Sequence, residues 1–144
     1  MAQYIEGATA RAIPTDETPA VAPRLLIVDD LADNRAILAR RFQKRGFEIV
    51  EADCGRAALD TIARQPFDVV LLDVMMPDLD GVEVLRRIRH QHSQSELPVI
   101  MVTAKSQTED VVQSLKLGAN DYVTKPVEFA VALARENAQI EPKR

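Results

Sequence analysis

Apolar positions along this chain fall in short blocks rather than one continuous stretch. Four are compact: Leu25-Leu26-Ile27-Val28, Phe47-Glu48-Ile49-Val50, Phe67-Asp68-Val69-Val70-Leu71-Leu72 and Leu97-Pro98-Val99-Ile100-Met101-Val102, and Tyr122-Val123 makes a shorter fifth. The first, third and fourth are near-continuous aliphatic runs, the pattern of strands covered on both faces. The second alternates more and is predicted at a sheet edge. Block starts lie 20 to 30 residues apart, with one helical pattern in each interval. Leu31 to Arg45 carries Ile37, Leu38 and Phe42 at helical spacing, with Lys44 and Arg45 in its last turn and Gly46 as a stop. Arg56 to Arg64 is a short helix ending before Pro66, and Gly81 to His90 presents Val82, Val84, Leu85 and Ile88. Ser106-Gln107-Thr108-Glu109 matches a capping box ahead of Val111, Val112, Leu115 and Leu117, which Gly118 stops. A last helix is predicted from about Val127 to Ile140. Five strands alternating with five helices predict an α/β fold, a doubly wound five-stranded parallel sheet.

Residues 1–23 lack any sustained apolar period and are rich in Ala, Thr and Pro, so they read as a disordered N-terminal tail. Residues 24–140 read as the folded domain, and 141–144 as a C-terminal tail. With 144 residues there is room for one ordinary domain. A 47% apolar and 28% charged composition is globular. Eighteen Lys and Arg against twenty-two Asp and Glu give a net charge of -4, which argues against direct nucleic-acid binding. The single Cys54 excludes a disulfide framework and fits a reducing compartment. No apolar run approaches the roughly 20 residues needed to span a bilayer, and the N-terminus lacks the pattern of a secretory signal. A cytoplasmic domain with no membrane partner is expected.

Reactive residues gather where strands end. The first strand ends in Asp29-Asp30, the third in Asp73 and the fourth in Thr103, and the fifth runs into Lys125-Pro126. In a doubly wound sheet these carboxyl ends share one edge, where ligands bind. Alone, an acidic pair after a strand is a loop or a helix start; four such strand ends together are far more specific. Three carboxylates converging there raise one another's pKa unless a cation sits among them. Oxygen donors without His or Cys favour a hard ion such as Mg²⁺, which takes one or two carboxylates plus phosphate oxygens. A carboxylate can also attack phosphorus to give an aspartyl phosphate. A lysine then supplies a point charge to the phosphoryl group and a threonine hydroxyl a hydrogen bond.

Four stretches carry a family resemblance: Leu-Leu-Ile-Val-Asp-Asp (25–30), Leu-Leu-Asp-Val-Met-Met-Pro-Asp-Leu-Asp-Gly (71–81), Val-Thr-Ala (102–104) and Gly-Ala-Asn-Asp-Tyr-Val-Thr-Lys-Pro (118–126). Over residues 24 to about 140 the chain resembles the receiver domains of two-component response regulators. That resemblance implies a flavodoxin-like sheet of strand order 2-1-3-4-5. It implies that Asp73 accepts a phosphoryl group from a sensor histidine kinase or a phosphotransfer protein. Asp30 and Asp73, with the backbone carbonyl of Met75, would hold Mg²⁺, Asp29 acting mostly through water. Lys125 would pair with the phosphoryl group, Thr103 and Tyr122 would form the conformational switch, and the Lys125–Pro126 peptide would be cis. The side chain of Met75 and that of Lys105 would tune the phosphoryl lifetime.

Two rival readings make demands that the sequence does not meet. A haloacid-dehalogenase-type phosphohydrolase would need a second Asp two residues after its nucleophile, but Met75 stands there after Asp73 and Leu31 after Asp29. An unphosphorylated interaction module on a receiver scaffold would lack one of the acidic or Lys positions, and this chain lacks none. The chain is therefore expected to catalyse only its own phosphorylation and dephosphorylation. Cys54 reads as a small filler, and Arg86, Arg87, Arg89 and His90 as a solvated face closing a helix. On the last helix, Phe129, Leu133 and Ile140 share a face that Glu136 interrupts. The apolar strip Ala130, Val131 and Ala134 predicts a homodimer through the fourth helix, fifth strand and fifth helix, or cover by an effector domain beyond the C-terminus.

Overall fold

The computed structural model describes residues 22–104 and 108–141. Strands and helices alternate throughout: β1 (Arg24–Val28), α1 (Ala32–Lys44), β2 (Glu48–Ala52), α2 (Gly55–Arg64), β3 (Val69–Asp73), α3 (Gly81–Gln91), β4 (Val99–Ala104), α4 (Thr108–Lys116), β5 (Asp121–Lys125) and α5 (Phe129–Ile140). All neighbouring strands are parallel, in the order β2-β1-β3-β4-β5. The doubly wound sheet and its order are as expected. β3, at the centre, is buried along its whole length, whereas β2 at one edge is mostly open. That difference follows from cover: only a strand with neighbours and helices on both faces can be aliphatic throughout.

Two apolar cores flank the sheet. Leu25, Ile27, Val69, Leu71, Ile100 and Val102 point to one side and meet Phe42 of α1 with Ala132 and Ile140 of α5. Leu26, Val28, Val70, Leu72 and Met101 point to the other and meet Ala58 of α2 with Val84, Leu85 and Ile88 of α3. Alternate residues of each strand thus serve opposite layers. Burying a Leu or Phe of this kind contributes about 1.5–3 kcal/mol.

Element ends differ from the periodicity by a residue or two, for local reasons. α1 begins after Leu31, whose extended backbone N–H is held by Asp29 Oδ1 at 2.8 Å. α5 begins at Phe129 rather than 127, because Glu128 is extended. Gly46, at φ 91°, ends α1 in the left-handed conformation, and Phe47 N–H returns to the Phe42 carbonyl at 3.2 Å. Cys54 is more than a filler: its sulfur caps α2 by accepting from Ala57 N–H at 3.5 Å. Asp80 Oδ1 caps α3 through Glu83 N–H at 2.9 Å. The capping box at Ser106, the effect expected of Lys105 and most of both tails lie outside the described residues.

Two charged groups depart from the roles expected of them. Arg89 does not sit in a solvated face. It is half-buried and donates to the carbonyls of Gly118 and Leu97 and to Asn120 Oδ1, at 2.8 to 2.9 Å, tying α3 to the starts of β4 and β5. Arg86 and Arg87 do stay outside, paired with Glu83. Glu136 does not merely interrupt an apolar face: it is 0% exposed, in line with Ala132 and Ile140. Neither carboxylate oxygen has a hydrogen-bond partner among the described residues. Burial alone pushes its pKa well above the ordinary 4.5.

That burial fixes the sign of a pH effect. Below about pH 4.5 Glu136 is neutral in both folded and unfolded chains. As pH rises towards its folded pKa, the unfolded chain loses the proton first and stability falls. Glu136→Gln should match the wild type near pH 4 in urea unfolding and exceed it increasingly towards pH 8. Glu136→Leu should add about 1–3 kcal/mol at neutral pH; a loss of stability there would show that the carboxyl is satisfied.

Candidate functional site

The carboxyl ends of β1, β3, β4 and β5 meet at one sheet edge, and parallel register sets the level of each side chain. Asp73 closes β3 opposite Val102, and Val102 pairs with Val123. Its side chain is 1% exposed. Lys125, the last residue of β5, reaches it with Nζ 3.0 Å from Asp73 Oδ1 and 3.1 Å from Oδ2. Met75 N–H donates to Oδ1 at 3.1 Å. Asp29 and Asp30 follow β1, the first buried and the second exposed. Carboxylate oxygens of Asp29, Asp30 and Asp73 all lie within 4.8 Å of one another. The Lys125–Pro126 peptide is cis, as expected.

Burial raises the pKa of Asp73 from its ordinary 3.8, Lys125 opposes that shift through its hydrogen bond and charge, and Asp29 adds to it by repulsion. The lysine therefore opposes the effect of burial without cancelling it. Carboxylate oxygens alone form this donor set, with no His or Cys in it. Such a set fits a hard divalent cation better than a soft one. A cavity of about 500 Å³ opens beside the cluster, between Asn34, Ile37 and Leu38 of α1 and Lys125, Pro126 and Val127.

The remaining expected residues divide. Thr103 is 1% exposed on β4, and its hydroxyl donates to the Ala104 carbonyl at 3.3 Å rather than towards Asp73. Tyr122 pairs with Met101, two residues before Thr103, so the register puts Thr103 and Tyr122 on one face of the sheet. Its ring is turned outward, 36% exposed. The Met75 side chain is 54% exposed, leaving its backbone as the part directed at Asp73.

Two features of the site carry no signal in the sequence pattern. Arg35, on the first turns of α1, donates from Nη1 to the Asp29 carbonyl at 2.7 Å and from Nε to Glu51 Oε1 on β2 at 3.0 Å. These contacts cross helix, loop and strand, and no local periodicity reports them. Gly81 packs against the backbone of Asp73 itself, its N–H donating to the Val74 carbonyl at 2.9 Å. A Cβ at position 81 would lie 2.2 Å from the Asp73 carbonyl oxygen and 2.8 Å from Val74 Cα. A glycine, lacking Cβ, is what lets the two backbones come this close, and the apolar periodicity gives no sign of it.

Known proteins of similar sequence and shape agree on one family. Residues 25–135 match the response regulator receiver domain family. A probable cyclic di-GMP phosphodiesterase of Vibrio cholerae is 39% identical over 120 residues, which are 83% of this chain and 27% of that protein. This chain thus spans about a quarter of that relative. The receiver domain of a Francisella response regulator superposes with a TM-score of 0.78 at 32% identity, covering 85% of this chain and 99% of the other. The signal receiver domain of a signal transduction histidine kinase from Syntrophus aciditrophicus gives 0.76 at 30%, covering 84% and 92%.

The closeness of Gly81 to the Asp73 backbone makes a prediction. Gly81→Ala meets main chain rather than a side chain that can rotate away, so α3 or the end of β3 must shift. Urea unfolding should show a loss of about 1–3 kcal/mol. A variant as stable as the wild type would mean that the loop has slack at this point.

Proposed function

The chain belongs to the response regulator receiver domain family, and from that premise we propose that it is a phosphoacceptor of two-component signalling with Asp73 as the phosphorylated residue. One observation carries the reading: a buried carboxylate held 3.0 Å from a lysine amine and within 4.8 Å of two further carboxylates. The donor is a phosphohistidine on a sensor kinase or a phosphotransfer protein, and the setting is cytoplasmic. No helix among the described residues is long and apolar enough to cross a membrane.

The chemistry needs little covalent machinery. An Asp73 carboxylate oxygen attacks phosphorus while the phosphorus–nitrogen bond breaks. The electron pair goes to the donor imidazole nitrogen, which takes up a proton. Lys125 opposes the rise that burial gives the Asp73 pKa, then donates to a phosphoryl oxygen as charge builds there. Met75 N–H, on the carboxylate oxygen Oδ1, fixes the orientation of the nucleophile. Asp30 and Asp73, with the Met75 carbonyl and Asp29 through water, would hold Mg²⁺. When bound, that ion neutralises phosphoryl oxygens that the lysine does not reach.

Output follows from rearranged donors. The Thr103 hydroxyl, spent on a long bond to its neighbour's carbonyl, turns to the new phosphoryl oxygen. The outward Tyr122 ring then folds into the space vacated. A preference of about 1.4 kcal/mol shifts such an equilibrium tenfold. The face concerned already exposes Val112, Leu115, Tyr122 and Val131, beside the exposed Ala130 and Ala134. This face is proposed as the surface for a second copy or an effector domain. The Vibrio cholerae relative, named a probable cyclic di-GMP phosphodiesterase, carries its matching segment within a much longer protein. The response here is likewise assigned to a surface rather than to turnover by the domain itself.

Incubation with acetyl phosphate and Mg²⁺ should add one phosphoryl group by intact mass, and Asp73→Asn should abolish it. Full labelling of Asp73→Asn would overturn the assignment. Sedimentation velocity with a beryllofluoride phosphate mimic should show a larger species than without it, which Val131→Asp suppresses. A monomer in both states would remove the dimer while leaving the phosphoacceptor in place.

A further inference from the structure

The turn between β1 and α1 carries two of the three clustered carboxylates and has few restraints of its own. Pairing of β1 with β2 and β3 runs out at Val28. α1 begins without a side-chain cap. What holds the intervening backbone is Asp29 N–H on the Ala52 carbonyl at 3.2 Å, Leu31 N–H on Asp29 Oδ1 at 2.8 Å, and Arg35 Nη1 on the Asp29 carbonyl at 2.7 Å. Arg35 is the one of these that reaches out to a third element. Its Nε meets Glu51 Oε1 of β2 at 3.0 Å, and its side chain is only 16% exposed. The guanidinium therefore spans helix, turn and edge strand through a rigid fork.

We propose that Arg35, oriented by Glu51, is a positioning residue that sets the Asp29–Asp30 turn at the distance from Asp73 needed to hold a divalent cation. The proposal rests on the metal-dependent phosphoacceptor reading and adds a residue to it. Arg35 is directed at a backbone carbonyl rather than at the cluster, so it acts through the placement of the turn. That role has an opposite sign to its charge. A cation beside three carboxylates repels Mg²⁺, so deleting it should tighten Mg²⁺ binding if charge were its only effect. Deleting a strut should weaken binding instead.

Calorimetric titration of the full chain with MgCl₂, alongside thermal melts, separates the two. Arg35→Ala should weaken Mg²⁺ binding by about ten- to hundredfold, the loss typical when a group supporting a ligand is removed. Arg35→Lys, which keeps reach and a donor, should recover much of it. Glu51→Ala should weaken binding with Arg35 still present, and it carries the test should Arg35→Ala not fold. Arg24→Ala is the control for a merely structural role: Arg24 bonds Pro66 and Gln65 and pairs with Glu48 at the opposite end of β1. It should lower the melting temperature without moving Mg²⁺ affinity. Equal or tighter Mg²⁺ binding by folded Arg35→Ala, or by Glu51→Ala, overturns the proposal. If Asp30→Ala leaves Mg²⁺ affinity unchanged, the metal reading itself fails; if only Asp30→Ala weakens it, the strut alone is lost.

Discussion

Holding three carboxylates within 4.8 Å of one another, one of them 1% exposed, sets a demand that the rest of the domain has to meet. Like charges at that separation repel, and burial removes the water that would otherwise screen them. The side chains do not come together of their own accord; the backbone brings them there. Parallel strands in fixed register, with an aliphatic core on each face, provide the rigidity. Lys125 offsets part of what burial and the neighbouring Asp29 cost the Asp73 carboxylate, and a carboxylate cluster of this kind is the chemistry that fits a hard divalent cation.

Several local features are intelligible as supports for that one edge. Gly81 allows α3 to approach the Asp73 backbone more closely than any other residue would permit. Asp80 caps the same helix, so the loop from Asp73 to Gly81 is anchored at both ends. Arg35 holds the turn after β1 from the other side. Each acts on backbone, which leaves the clustered carboxylates themselves unencumbered.

The domain is less settled around β4, β5 and α5. Thr103 spends its hydroxyl on a long local bond, Tyr122 stands outward, and α5 buries Glu136 with no partner among the described residues. A buried carboxyl without a hydrogen bond weakens the seam that holds α5 to the sheet. In the proposed switch, small changes of free energy would reorganise this face while the acidic edge stays in place.

The sequence by itself determined the alternation of strand and helix, because burial on two faces or on one leaves distinct periodicities. It also determined the acidic and lysine strand ends, because they lie beside those runs and the fold class sends all of them to one edge. The second run's alternation marked β2 as an edge strand in advance. Tertiary structure alone decided what depends on partners distant in the chain. Arg35 and Glu51 lie 16 positions apart, Arg89 and Asn120 31 apart, and no local period links either pair. Glu136 looked like a break in an apolar stripe, yet the helix turned it inward with Ala132 and Ile140. A helix docks by its whole face, and one polar residue does not change which face that is.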